Sequence, residues 1–383
     1  MANTLKFGNG EWYGKKDTIL AYNDENNNYK PLLFDFSRAS SATRVNKDGL
    51  IKTVGHNTPR IDYKDDSKGS LLLEPSRSNL ITYSENFSNS YWLKINNATV
   101  SAEKVISPDG TLNASQIIFD GTVDGRIEKD ISGLTQGADY TVSVYARVSS
   151  GTQVVNFGSV SDFEYTLTTE WQRLTSTQAE NDTVGYPRLK CNDASTIEIY
   201  GFQLEQGSYA TSYIPTQGSA VTRLADTCDN GANEQVINST EGVLYFEGSE
   251  IANDGTFKRI SVGTSDNLFA NSIQLRYNTA DNSITYQFRV GNVYQADITT
   301  TINSTNINKI ACVWKTNRFE IWINGIKKAE DTSGSVPPSN TFNSLFFGKT
   351  SIGLAEAFKG NTKDLRVYNT ALTDAQLTAL TTI

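Results

Sequence analysis

The chain has 383 residues, a formal net charge of −8, and 38% hydrophobic, 10% aromatic and 20% charged residues. Its length exceeds what one ordinary core serves and predicts two or three domains of about 100–200 residues each. The charge excludes a protein that wraps a phosphate backbone, and the apolar content excludes a disordered chain.

The N-terminal stretch Met1-Ala2-Asn3-Thr4-Leu5-Lys6 shows no basic segment followed by an apolar run. No stretch of about 18 apolar residues follows anywhere. The expectation is a chain made in a cytoplasm without a signal peptide and without membrane insertion.

Residues 1–76 contain the polar run Asn23–Asn28 and the charged run Tyr63–Gly69, which read as loops. This part is expected to be a less regular N-terminal arm that docks on a partner, with Trp12 available to pack against another chain. Residues 77–218 carry strand patterns. In Asp139–Val148 one face collects Tyr140, Val142, Val144, Ala146 and Val148, and the other collects Thr141, Ser143, Tyr145 and Arg147. Residues 219–241, rich in Gly, Ser, Thr and Asn, read as a connector.

Residues 242–383 resume the alternation in Ile284/Tyr286/Phe288/Val290, Ile310/Cys312/Trp314 and Phe319/Ile321/Ile323. Asn324-Gly325 suits a type I′ turn, so Arg318–Ile323 enters a hairpin. One helix is expected at about Asp374–Leu380, with Thr373 and Gln376 forming a capping box and Leu372 and Leu377 a hydrophobic staple. Many short strands between Gly, Asn, Asp and Ser turns make the fold class all-β, with two antiparallel β-sandwiches after the arm.

Signals for chemistry are sparse. The single histidine, His56, lies between Gly55 and Asn57, and Cys191, Cys228 and Cys312 are widely spaced. Neither pattern builds a catalytic triad, a zinc site or a disulfide framework. Glu247 and Glu250 follow the strand Val243–Phe246 without the closely spaced acidic triplet of sandwich glucanases, so an enzyme is not expected. Glycan binding needs only aromatic faces and hydrogen bonders on a rigid sheet. Trp92, Trp171, Trp314 and Trp322 are the stacking candidates. Trp314 shares a face with Ile310 and Cys312 and belongs to the core, whereas Trp322 lies on the opposite face. The candidate sugar-binding residues are Trp322, Tyr145 and Arg147. No cofactor is required, and Ca²⁺ is the one plausible ion, with unassigned ligands.

Several stretches resemble virion fibre and tail proteins of tailed bacteriophages: Phe36-Ser37-Arg38-Ala39-Ser40, Ala42-Thr43-Arg44-Val45-Asn46, Pro59-Arg60-Ile61-Asp62-Tyr63 and Leu71-Leu72-Leu73-Glu74-Pro75. Tyr83–Phe87 with Trp92, Tyr140–Ala146, and Gly201–Gly207 with Ser212–Thr216 resemble a carbohydrate-binding-module jelly roll. Trp322-Ile323-Asn324-Gly325, Phe358-Lys359-Gly360 and Asp364–Asn369 resemble concanavalin A-like, laminin G-like sandwiches. The resemblance implies a jelly roll followed by a concanavalin A-like sandwich, on a virion fibre, spike or head decoration. It further implies a homotrimer, other virion proteins as partners, and host-surface polysaccharide as ligand. A purely structural virion connector and a glycan-cleaving enzyme are the alternatives.

Overall fold

The computed structural model describes residues 2–22, 32–264, 270–279, 282–348 and 356–383. The expected loop Asn23–Asn28 lies outside the described residues. The chain forms two compact units: Met1–Ser41 with Val54–Pro75 and Ala225–Ile383, and Ala42–Thr53 with Ser76–Leu224. Both are built from antiparallel sheets, and no helix among the described residues is long and apolar enough to cross a membrane.

In the first unit, Glu241–Glu250 lies between Asn308–Lys315 and Gly360–Tyr368 in an eight-stranded sheet. A five-stranded sheet orders Val293–Thr301, Ser283–Val290, Ser272–Tyr277, Lys258–Gly263 and Ser344–Phe346. Their facing apolar residues, among them Phe246, Trp314, Ile260, Leu275 and Tyr286, share one core. Trp314 is fully buried, as its strand face predicts, and its indole N–H donates to the Asn238 carbonyl at 3.0 Å.

The N-terminal residues are not a separate arm. Leu5–Gly8 pairs with Gly360–Tyr368, placing Leu5 opposite Val367 and Phe7 opposite Leu365, and Ser70–Leu73 pairs further along the same strand. The physical reason is short-range alternation: Leu5/Phe7, Ile19/Ala21 and Phe34/Phe36 each bury two apolar side chains in the shared core. Trp12 is accordingly used within the chain, edge-on to Phe7 at 5.6 Å and donating to the Lys68 carbonyl at 2.9 Å. The expected connector is also structured, since Val221–Arg223 pairs with Arg77–Asn79 and Thr227–Asp229 pairs with Leu32–Ser37.

A buried ionic knot ties the first unit together. Arg38, Arg60, Glu74 and Asp226 are each 1% exposed or less. Asp226 accepts from Arg38 at 3.0 Å, from the Glu74 amide at 2.9 Å, and from Arg60, which also donates to Glu74 at 2.6 Å. Burial alone would lower the Arg60 pKa, but Asp226 and Glu74 outweigh it and hold the guanidinium firmly charged. Arg38, Arg60 and Glu74 come from three separate stretches of the N-terminal segment, which this network brings together.

The C-terminal helix runs Asp374–Thr381 with both halves of the Thr373/Gln376 capping box formed, and Leu372 and Leu377 are buried in one cluster. The hairpin at Asn324-Gly325 has the positive φ values, 50° and 83°, that its turn requires.

In the second unit, one sheet orders Leu93–Ile95, Gly125–Glu128, Arg188–Cys191, Gln153–Gly158 and Asp162–Leu167. The other orders Thr99–Ile106, Leu112–Asp120, Ala194–Gln206, Asp139–Val148 and Gln172–Ala179. Trp92, Val142, Val144, Phe157, Phe202 and Leu204 are in the core of this unit. The stretch Gly201–Thr216 is held by a buried network: Thr211 donates to Glu205 through its hydroxyl at 2.6 Å, Gln203 donates to Glu205 at 2.6 Å, and the Ile214 amide donates to Gln203 at 2.7 Å.

Candidate glycan-binding face

The strand Asp139–Val148 has the predicted bounds and buries its predicted face, leaving Tyr145 and Arg147 half-buried on the other. Next to it, Ala194–Gln206 carries a register shift: Ser143 faces Gln203, whereas Tyr145 faces Tyr200. Gly201 sits in this irregularity at φ +67°, and a Cβ there would come within 3.2 Å of the Tyr213 ring. Because the bulge resets the alternation, Ile197, Ile199, Phe202 and Leu204 all reach the core while Glu198 and Tyr200 share a face with Tyr145 and Arg147.

On that face Tyr145 and Trp171 are half-buried and pack on a small buried cluster of Ile51, Ala114, Tyr200 and Tyr213. Tyr145 lies 6.3 Å from Tyr200, which is edge-on to Tyr213 at 5.4 Å. The Arg173 guanidinium lies 5.4 Å from the Tyr145 ring centre and donates to the Ser143 hydroxyl at 3.0 Å, while its Nε has no hydrogen-bond partner. Arg147 lies 4.7 Å from the Trp171 ring centre and donates to Glu198 at 2.6 Å. Two half-buried rings, Tyr145 and Trp171, are thus held flat by cations and charge-assisted hydrogen bonds, at little cost in side-chain freedom on binding.

Beside the rings is a recess of about 250 Å³ lined by Lys52, Thr53, Glu85, Asp109, Tyr200 and Tyr213 among others. Tyr200 donates to Asp109 at 3.1 Å and Tyr213 donates to Glu85 at 2.9 Å. Burial, then the neighbouring Glu85 and Asp109 charges, push the Tyr200 phenol far above its usual range, so it stays a donor. Burial would raise the Asp109 carboxyl, but hydrogen bonds from Thr111, Ser107 and Asn113 outweigh it and hold the pKa down to about 2. The recess therefore holds two fixed carboxylates: Asp109, which takes hydrogen bonds from Ser107, Thr111, Asn113 and Tyr200, and Glu85, which takes one from Tyr213.

The Asp109 shift fixes the sign of a pH effect. Its folded pKa lies below the unfolded value of about 3.9, so its contribution is present above that value and is lost as pH falls through about 2. Acid titration of the purified chain is expected to show this loss between about pH 4 and pH 2, and Asp109→Asn to flatten it; equal curves would contradict the assignment.

Trp322 is corrected. It does lie opposite Phe319, Ile321 and Ile323, but that face is covered by the C-terminal helix: Trp322 is 5% exposed, packs with Leu372 and Leu377, and donates to Glu320 at 2.8 Å. Trp92 is likewise in the core, and His56 is exposed. Of the residues proposed from sequence, Tyr145, Arg147 and Trp171 come together; Tyr200, Tyr213, Arg173, Glu198, Glu85 and Asp109 were missed. The carboxylates Glu247 and Glu250 are engaged in other contacts. Glu250 pairs with buried Lys258 at 3.0 Å, and Glu247 accepts from Tyr245 at 3.0 Å. Among the described residues no three His, Cys, Asp or Glu side chains are grouped to hold a metal.

Comparison with known proteins gives the following. No curated protein matches the chain. Among solved structures, the CBM40 of the Ruminococcus gnavus IT-sialidase is similar at 16% identity and a TM-score of 0.33, covering 40% of this chain and 93% of that one. Mouse laminin alpha1 domains LG4-5 match at 8% identity and 0.28, covering 67% and 91%. The CBM22-1-CBM22-2 tandem of Paenibacillus barcinonensis Xyn10C matches at 10% and 0.28, covering 77% and 98%. Residues 250–378 match the family model of the Concanavalin A-like lectin/glucanases superfamily, so this part of the chain carries a domain of that laminin G-like kind.

Proposed function

We propose that the chain is a non-catalytic glycan-binding protein, and that the Tyr145–Trp171 face of the second unit is its sugar platform. The observation that carries this reading is the pair of half-buried rings, braced by Arg173 and Arg147, beside a recess with carboxylate acceptors. Flat rings match the apolar face of a pyranose, and Glu85 and Asp109 match its hydroxyls. The concanavalin A-like domain over residues 250–378 supports a binding role for the same chain.

On the fibre-protein resemblance of the Arg38, Arg60 and Glu74 stretches, the proposed setting is the surface of a tailed-phage virion, with other virion proteins as partners and host-surface polysaccharide as ligand. A homotrimer would raise avidity by about 10²–10⁴ over a single weak site without new contacts. The test is a glycan array and a whole-cell binding assay on the purified chain, with and without calcium, followed by analysis for released sugar. Binding without release supports the reading. Release of sugar would replace it with an enzyme, and no binding under any condition would leave a structural connector.

A further inference from the structure

The face of the five-stranded sheet that points away from the core of the first unit carries three arginines, Arg259, Arg276 and Arg289, of which Arg259 donates to the Gln274 side chain at 2.7 Å. Arg259 on Lys258–Gly263 stands directly opposite Arg276 on Ser272–Tyr277. Like charges at directly opposed positions destabilise a sheet, so this pairing is a cost. Arg289 lies on the next strand, opposite Ser272, with its guanidinium 4.0 Å from the centre of the Tyr294 ring. Ser261, Gln274 and Gln287 are one register row, adding a hydroxyl and two amides to the same face.

Among the described residues, two carboxylates enter the face. Glu356 pairs with Arg259, and Asp297 accepts from Gln287 at 3.2 Å. Arg276 takes no carboxylate among the described residues; its Nε donates to the neutral Asn278 side chain at 3.1 Å. Burial first, then the Arg276 and Arg289 charges, push the Arg259 pKa down to about 10. Moreover, the Arg259 Nε and the Ser261 hydroxyl have no hydrogen-bond partner, although the residues are only 6% and 1% exposed. A buried donor left unpaired destabilises the fold. An oxyanion would accept from these donors and relieve the arginine repulsion together.

We infer that this face binds the oxyanion group of an acidic glycan, a carboxylate or sulfate ester, through Arg259, Arg276 and Ser261. The site lies in the first unit and its residues are distinct from the Tyr145–Trp171 face, so the two fail separately. The inference rests on the glycan reading only for the carrier of the anion; the anion chemistry stands on the arginines.

The experiment is calorimetric titration of the full chain with sodium sulfate, sodium glucuronate, polygalacturonate, dextran sulfate and neutral dextran, repeated for Arg276→Gln and Arg259→Gln. Expected are tighter binding of at least one acidic polysaccharide than of neutral dextran, weakening as salt rises, and a loss of about tenfold or more in Arg276→Gln. Polygalacturonate and dextran sulfate separate the carboxylate from the sulfate. Arg276→Gln, which removes a repulsion, is expected to melt no lower than the parent, which separates a lost ligand contact from lost folding. Equal affinity for acidic and neutral polysaccharides, or acidic binding unchanged in both variants, would overturn the inference. Loss of binding by the Tyr145 and Trp171 variants described below, with acidic binding through Arg276 intact, would leave it standing.

Discussion

Asp226→Ala is expected to destabilise the first unit by about 3–5 kcal/mol, the cost of breaking a buried ion pair by removing one partner. Asp226 is completely buried and accepts from Arg38 and Arg60, so its loss takes a carboxylate from two guanidinium groups that are themselves 1% exposed or less. It also leaves the Glu74 amide without its 2.9 Å acceptor. Arg60 keeps Glu74, so the greater damage falls on Arg38, which also donates to the Ser40 and Gly55 carbonyls but loses its Asp226 carboxylate. Denaturant unfolding of the variant, followed by tryptophan fluorescence, should show a midpoint well below the parent's. A change under about 1 kcal/mol would mean that water or relaxation replaces the lost carboxylate. Asp226→Asn should fall between the two, since it keeps the shape and loses the charge.

Trp322→Ala is expected to cost about 3–5 kcal/mol, as for other large aromatic side chains deleted from a core. The indole fills the space between the strand Arg318–Ile323 and the C-terminal helix, against Leu372 and Leu377, and its N–H is one of the donors to buried Glu320. Arg318 and Lys327 also donate to Glu320 and lower its pKa against the effect of burial, so the carboxylate remains charged when the indole is gone. The cost should therefore come from the cavity rather than from an orphaned charge. Glycan affinity should be unchanged in this variant wherever the fold persists. A stable Trp322→Ala protein with reduced glycan binding would return Trp322 to the surface role that its strand face suggested.

Local pattern made much of this fold legible. The alternation in Asp139–Val148, the Asn324-Gly325 turn and the Thr373 capping box each depend on neighbours in sequence, and each forms as the residues dictate. What escaped depends on distant pairing. Leu5 and Phe7 are too few to advertise a strand, yet Gly360–Tyr368 supplies their partner more than 350 positions away in the chain. The Trp322 side points away from one core correctly, but periodicity within a strand cannot report that a helix covers that side.

The candidate site divides in the same way. Tyr145 and Arg147 were readable because their strand alternates cleanly. Tyr200 and Glu198 were hidden because the irregularity at Gly201 resets the period, so Ile197 and Leu204 look out of phase although both reach the core. A glycine inside an apolar strand was the signal the sequence offered for it. Glu85 and Asp109 come from loops, where no periodicity exists to place them.

The central claim is that the Tyr145–Trp171 face holds a sugar, and the most direct measurement is glycan binding by Tyr145→Ala, Trp171→Ala and the double variant against the parent chain. Anchor rings of this kind contribute about 1–2 kcal/mol each, so each single variant is expected to bind about tenfold more weakly and the double variant to bind barely at all. Tyr145 and Trp171 also pack on the buried cluster of Ile51, Ala114, Tyr200 and Tyr213, so melting temperatures are measured alongside, and the main core of Val142, Val144 and Ala146 on the other side of the sheet should keep each variant folded. Parent-like affinity in the double variant, with the parent chain itself binding glycan, would contradict the account.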